Sequence, residues 1–359
     1  MNPTRNETIG IVLLNLGGPD SLKAVKPFLY NLFSDRNIIR LGPSFLQKPL
    51  AYFISTLRRR KTEQMYSLIG GKSPIMPITI AQAQALENTL NSEFRMQNSN
   101  LSFKVYVAMR YWHPLIEEVI PDMYKNGIRR IIALSLYPHY SVTTTGSSVL
   151  KMKEVLKGYS VEVSYISQWY NHPLYIEALV NLIKKGMELF NINLEIRNSR
   201  LVPHSGGLSG KNESPEETKS EIDIQVLFSA HSLPEKFIKL GDPYVEHIYG
   251  TITEITKLIS VKWHLSYQSK TGPVKWLEPS TEDKLKELAR DGVRNILVVP
   301  ISFVSDHIET LYEIDIFYKN MAQELGVTLR RVNSLNVYPV FIRALVDMVT
   351  QNIKKEGWT

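Results

Sequence analysis

The 359-residue sequence contains no cysteine. That excludes disulfides, thiolate zinc sites and cysteine-ligated iron–sulfur clusters, so any metal the chain handles meets nitrogen and oxygen ligands. No run approaches the roughly 18 consecutive apolar residues of a membrane span, and the opening MNPTRNETIG lacks the apolar stretch of a signal peptide. The expectation is a cytoplasmic protein. The three spaced glycines of a dinucleotide loop are missing too. Gly70, Gly71, Lys72 and Ser73 imitate the end of a phosphate-binding loop, but the earlier glycine falls on Tyr66 and Pro74 blocks the following helix. A net charge of +7 suits acidic partners, yet no nucleic-acid-binding motif accompanies it, so no nucleic-acid partner is expected.

What is present is ordinary globular material, 43% hydrophobic and 21% charged, long enough for about two domains. Apolar, β-branched runs at 9–16, 103–109, 128–136, 161–166, 224–228 and 296–299 read as buried parallel strands, with helical periodicity between them. The sequence also echoes itself. NGIRRIIALSLYP from Asn126 matches DGVRNILVVPISF from Asp291, and the strand and turn at 12–19 match those at 226–234. Alternating strands and helices repeated twice predict an α/β fold: two similar doubly wound parallel-sheet domains, Rossmann-like, facing one cleft at the carboxyl ends of their strands. The expected division is 1–160 with a lip segment at 45–75, then 161–330 with an exposed insertion at 197–222. A C-terminal helix within 331–359 is expected to pack back on the N-terminal domain.

The chemistry gathers after the strand at 296–299, where Asp306, His307, Glu309, Glu313 and Asp315 crowd together. On an α-helix, positions 306, 309 and 313 share one face. Acidic residues at a helix start are often only solvated partners of its dipole. Here, however, Ile308, Leu311, Tyr312, Ile314, Ile316 and Phe317 leave little circumference for water, and a carboxylate row among apolar neighbours invites a cation or a proton. Of the eight histidines, His231 is the best ligand or base candidate, because a buried strand delivers it into a Ser-flanked turn. In the lip, Leu50, Phe53, Ile54 and Leu57 form an apolar stripe that runs into Arg58, Arg59, Arg60 and Lys61. That pattern fits a surface helix, an anion-binding lip or a membrane-surface contact.

Seven segments, in order, resemble the ferrochelatase family: LNLGGPD from Leu14, YSLIGGKSPI from Tyr66, RYWHPL from Arg110, YPHYSVTTTGSS from Tyr137, FSAHSLP from Phe228, QSKTGPVKWLEP from Gln268 and SDHIETLYEIDI from Ser305. The resemblance implies a lyase of haem and porphyrin biosynthesis that inserts ferrous iron into protoporphyrin IX, with protoporphyrin IX and Fe²⁺ as substrates. No cofactor beyond the substrate iron and no iron–sulfur cluster is implied. It makes His231 and Glu309 the inner, metal-binding pair, with Asp306, His307 and Glu313 as acidic and proton-handling partners. Arg58, Lys61, Tyr66 and Ser73 become lip and propionate contacts, Arg110, Tyr111 and Tyr137 pocket wall, Trp276 a residue near the ring, and Trp169 an outer metal-path position. LNLGGP is similar to the protoporphyrin-using branch. Phe317 stands where relatives often have a further carboxylate. Two alternatives stay open, a porphyrin or haem carrier without turnover and a chelatase for another tetrapyrrole and metal. Peripheral contact with the inner membrane face is a further expectation, and the sequence specifies no oligomeric state.

Overall fold

The computed structural model describes residues 7–97, 100–199, 223–270, 272 and 274–358. The first half runs β1 (Glu7–Asn15), α1 (Val25–Ser34), α2 (Gln47–Ser67), α3 (Ile75–Met96), β2 (Leu101–Met109), α4 (Ile116–Lys125), β3 (Arg130–Ser135), α5 (Ser147–Leu156) and β4 (Glu162–Ile166). α6 (Pro173–Ser199) leads to the second half: β5 (Ile224–His231), α7 (Glu235–Lys239), α8 (Tyr244–Leu258), β6 (Lys262–Gln268), α9 (Thr281–Arg290), β7 (Asn295–Pro300), α10 (Lys319–Glu324), β8 (Thr328–Arg331) and α11 (Pro339–Glu356). The insertion expected at 197–222 lies, from residue 200 on, outside the described residues.

Each half holds a four-stranded parallel sheet, ordered β2-β1-β3-β4 and β6-β5-β7-β8. The two orders superpose strand for strand, so the sequence echo is an architectural one: β1 corresponds to β5 and β3 to β7. The echo extends to a rarer feature, since a π-helical turn follows the third strand of each half, at Val142–Gly146 and Glu309–Tyr318. Parallel strands covered on both faces must be apolar throughout, and Val12, Leu13 and Leu14 of β1 and Val298 and Val299 of β7 are accordingly buried.

Pairing corrects one expectation. β4 registers with β3, Arg130 opposite Glu162, so the boundary expected at 160 falls inside the first sheet. An apolar run announces a strand but not which sheet receives it, and here the helical crossover through α5 returns the chain to the neighbouring position. β8 went unread because it is four residues long with two arginines. α11 lies against α3 and α6, and Ser164 of β4 donates to Glu356 at 2.8 Å. Residues from both sheets and from α3, α6 and α11 join one apolar core, which holds the sheet ends in a fixed relation. Among the described residues, no helix is long and apolar enough to cross a membrane.

Candidate active site

Open parallel sheets gather ligands beyond the carboxyl ends of their strands. Here the ends of the central strands β1, β3, β5 and β7 open onto a common cleft of about 400 Å³, lined by Asn15, Tyr137, His231 and Ser302 among others. Gly18, in the turn after β1, lets that turn press on the cleft floor: a Cβ there would lie 2.5 Å from Ser73 Oγ, and Ser73 N donates to Pro19 O at 2.8 Å.

His231 closes β5. Its main chain is pinned by Ser302 Oγ, which accepts from His231 N at 2.9 Å, and by Tyr244 Oη, which donates to His231 O at 3.0 Å. The ring Nδ1 lies 2.7 Å from Ser232 O. A carbonyl only accepts, so Nδ1 carries a proton, and in the uncharged tautomer this selects, the lone pair sits on Nε2.

His307, which shares the Phe303 ring with His231, repeats the arrangement, with Nδ1 2.9 Å from Ser305 O. Its Nε2 lies 3.2 Å from Glu309 Oε2, outside hydrogen-bond geometry, and the two attract as an ion pair only when the ring carries a second proton. Burial depresses the His307 imidazolium, and the Glu309 charge opposes that only in part. Four residues on, Glu313 accepts from Ser269 Oγ at 2.6 Å and Gln268 Nε2 at 3.1 Å. Burial and then the Glu309 charge raise the Glu313 carboxyl to about 7, against the pull of Ser269, Gln268 and Arg58. Glu309 and Glu313 face the same cleft because they lie on the π-helix Glu309–Tyr318, where i→i+5 bonding brings residues four apart close to one turn.

The opposite wall is apolar. Phe28, Leu29 and Phe33 of α1, with Ile38 and Ile39 beyond it, face the titratable side. Arg58 and Lys61 of α2 stand at the mouth, Arg58 with its guanidinium 5.5 Å from the Phe33 ring. Tyr66, Ser73, Tyr137 and Trp276 also line the cleft. Burial and the Glu309 charge push the Tyr66 and Tyr137 phenols well above their ordinary range, so both stay neutral donors. The buried Trp276 Nε1 has no hydrogen-bond partner among the described residues.

The family model described as Ferrochelatase matches residues 8–353. The chain belongs to the ferrochelatase family. Two relatives named Ferrochelatase make the likeness concrete. One, from Geotalea uraniireducens, is 47% identical over 98% of this chain and 99% of its own length. The other, from Geobacter metallireducens, is 47% identical over 96% and 98%. SirB from Bacillus subtilis, solved with Fe³⁺, shares the fold with a TM-score of 0.51 at 13% identity, covering 98% of each chain.

Four positions that the ferrochelatase resemblance brings toward the cleft are turned away from it. Asp306 precedes the π-helix instead of sharing its face. Its carboxylate accepts from Ser334 Oγ at 2.7 Å and Asn336 Nδ2 at 2.8 Å and pairs with Arg331 at 3.1 Å. Burial alone would raise that carboxyl, but Arg331 and these donors hold it below its ordinary range. Arg110 and Tyr111 lie behind the pocket wall, where both donate to Asp35 Oδ2 at 2.7 Å, as does Ser147 Oγ at 2.6 Å. In the sequence, Asp35 is a lone Asp after a helix and resembles a cap. Trp169 is core, donating to Ser135 O at 2.8 Å against Tyr175 and Phe341. In the sequence, Gln268 and Ser269 carry no sign of their role. Only the fold shows that they grip Glu313, Ser269 doing so from a left-handed backbone with φ 67°.

The raised Glu313 carboxyl carries a stability consequence. Between its unfolded value near 4.5 and about 7 the folded protein binds the extra proton, so stability falls as pH rises through that window. Glu313→Gln removes the ionisation and should raise the stability at pH 8, by roughly 3 kcal/mol at most, and with it the thermal midpoint, while changing little at pH 4. Paired thermal melts check this, and equal gains at both pH values would contradict it.

Proposed function

We propose that the cleft inserts ferrous iron into protoporphyrin IX, giving protohaem with release of two pyrrole protons, the last step of haem synthesis. The observation that carries this reading is the cleft's asymmetry: an apolar wall, cations at the mouth, and His231 with the Glu309–His307 pair and Glu313 opposite. An apolar macrocycle with charged propionates fits that division, its faces against α1 and its carboxylates toward Arg58 and Lys61.

Metal insertion requires Fe²⁺ to shed water and two N–H groups to lose protons. The Nε2 lone pair of His231 and the Glu309 carboxylate supply borderline nitrogen and hard oxygen donors, suited to Fe²⁺ as it enters. Glu313, balanced near neutrality, takes up protons and returns them to solvent. Iron is substrate here, with no resident cofactor. Anaerobic incubation with protoporphyrin and Fe²⁺, followed through the Soret band, tests the reading. Tight porphyrin binding without turnover would make the protein a carrier.

The lip supports a second part of the proposal, a cytoplasmic protein that touches the inner membrane face. α2 buries Gln47, Ala51, Ser55 and Tyr66, and leaves Phe53 60% and Leu57 66% exposed, with Phe45 nearby at 74%. Apolar rings beside Lys48, Arg59 and Arg60 suit an anionic bilayer surface. Sedimentation with anionic vesicles at low salt should retain the protein. Phe53→Ser with Leu57→Ser, or added salt, should release it, and no retention at low salt would leave the segment as a substrate lip only.

A further inference from the structure

Asn336 follows β8 in a left-handed conformation, φ 41°, that few residues other than glycine adopt and that Asn tolerates best. All four of its polar groups are engaged. Its N–H donates to Val304 O at 2.7 Å, and its Oδ1 accepts from Asp306 N at 2.9 Å. Its Nδ2 donates to Asp306 Oδ2 at 2.8 Å, and its carbonyl accepts from Gln82 Nε2 at 2.8 Å. Val304 and Asp306 flank Ser305, so Asn336 grips that residue from both sides. Gln82, reaching from α3 in the other half, also donates to Ser305 Oγ at 3.1 Å. Ser305 O is the acceptor that holds the His307 ring through Nδ1.

We infer that Asn336 is a positioning residue for the His307–Glu309 pair. Its clamp fixes the Ser305 carbonyl, the carbonyl fixes the tautomer and orientation of His307, and the ring thereby presents Nε2 to Glu309. Gln82 ties the clamp to the half that carries the lip. This deepens, and rests on, the metal-insertion reading, since the pair positioned is the one proposed to act at the ring centre. A residue in a strained conformation whose own four polar groups are all bonded is what a geometry held for function requires.

Asn336→Gly is the decisive variant. It keeps the left-handed backbone and both main-chain bonds and removes only the two side-chain bonds to Asp306. The expected result is kcat for metal insertion lowered about tenfold or more, as small misplacements of reacting groups do, with porphyrin KM and thermal midpoint close to the parent. The ¹⁵N signals of His307 should change from a single fixed tautomer to an exchanging mixture. Asn336→Asp keeps the acceptor for Asp306 N but sets a carboxylate against that of Asp306, and should be worse than Asn336→Gly. If Asn336→Gly does not fold, Gln82→Met decides, because it severs the bonds to Asn336 O and Ser305 Oγ within an intact helix and should lower kcat in the same selective way. Unchanged kcat and an unchanged tautomer in the folded variant overturn the inference, and so does a joint fall of kcat, porphyrin affinity and thermal midpoint. A parent that binds porphyrin but inserts no metal overturns the functional reading instead, and the ¹⁵N signature then still decides the role of Asn336.

Discussion

His231→Ala should abolish metal insertion and leave a folded protein that binds porphyrin within a few-fold of the parent. The fold survives because the contacts that pin the end of β5, Ser302 Oγ with His231 N and Tyr244 Oη with His231 O, are made by the main chain and do not need the imidazole. Among the described residues, the only side-chain hydrogen bond lost is that from Nδ1 to Ser232 O within the same turn. Porphyrin binding survives because the apolar wall and the mouth cations belong to α1 and α2, on the other side of the cleft. Activity should not survive, because the variant deletes the imidazole that β5 delivers to the cleft. A positioned base is worth roughly 10² to 10⁴ in rate, and the same atom is also proposed to meet the metal. Anaerobic insertion assays with Fe²⁺ and Zn²⁺, beside a tryptophan-quenching titration with protoporphyrin, measure both halves of the expectation. Near-normal turnover removes His231 from the mechanism.

The sequence exposed the strands and the repeat because parallel strands buried on both faces are written as uninterrupted β-branched runs, and two such runs with similar flanks declare a duplicated sheet. It exposed His231 because a strand end is a place, and a place can be counted along a chain. The α-helical period sets Asp306 on the Glu309 face, but the hydrogen bonds of this segment run i→i+5 and its first residues are not helical. Nothing in the identities of 305–318 announces that pitch. Glu309 and Glu313 still emerged together, since four residues are close to one turn under either period. Asp306 and Asp315 have the same charge and composition as their neighbours, yet both answer Arg331, which was invisible because β8 went unread. Arg110, Tyr111 and Asp35 make the same point from the other half. Their polar cluster is real, but it braces the wall from behind. Phe317, at the position where a further carboxylate would extend the acidic row, is 44% exposed against Tyr318, so the carboxylates facing the cleft from the π-helix are Glu309 and Glu313.

Glu309→Gln separates an enzyme from a carrier. The substitution keeps the shape of the side chain and its place on the π-helix, but deletes the anion 3.2 Å from His307 Nε2. Three consequences follow from that single charge. The oxygen donor offered to Fe²⁺ becomes a neutral amide, a weaker ligand that holds no proton. The imidazolium of His307, already depressed by burial, loses the charge that opposes the depression and falls further. The Glu313 carboxyl, raised to about 7 by burial and by Glu309, moves down toward its ordinary value, so it exchanges protons less readily at neutral pH. Insertion should fall by about 10² or more, and whatever activity remains should show its carboxylate limb at lower pH than the parent. Glu313→Gln should be milder, since Glu313 stands one turn farther along and is gripped by Ser269 and Gln268. Porphyrin affinity should barely change in either variant. A carrier would show no insertion in the parent and altered binding in the mutants, so one turnover assay and one fluorescence titration on all three proteins distinguish the readings. Equal activity in the parent and Glu309→Gln would sink the proposed role of the carboxylate pair.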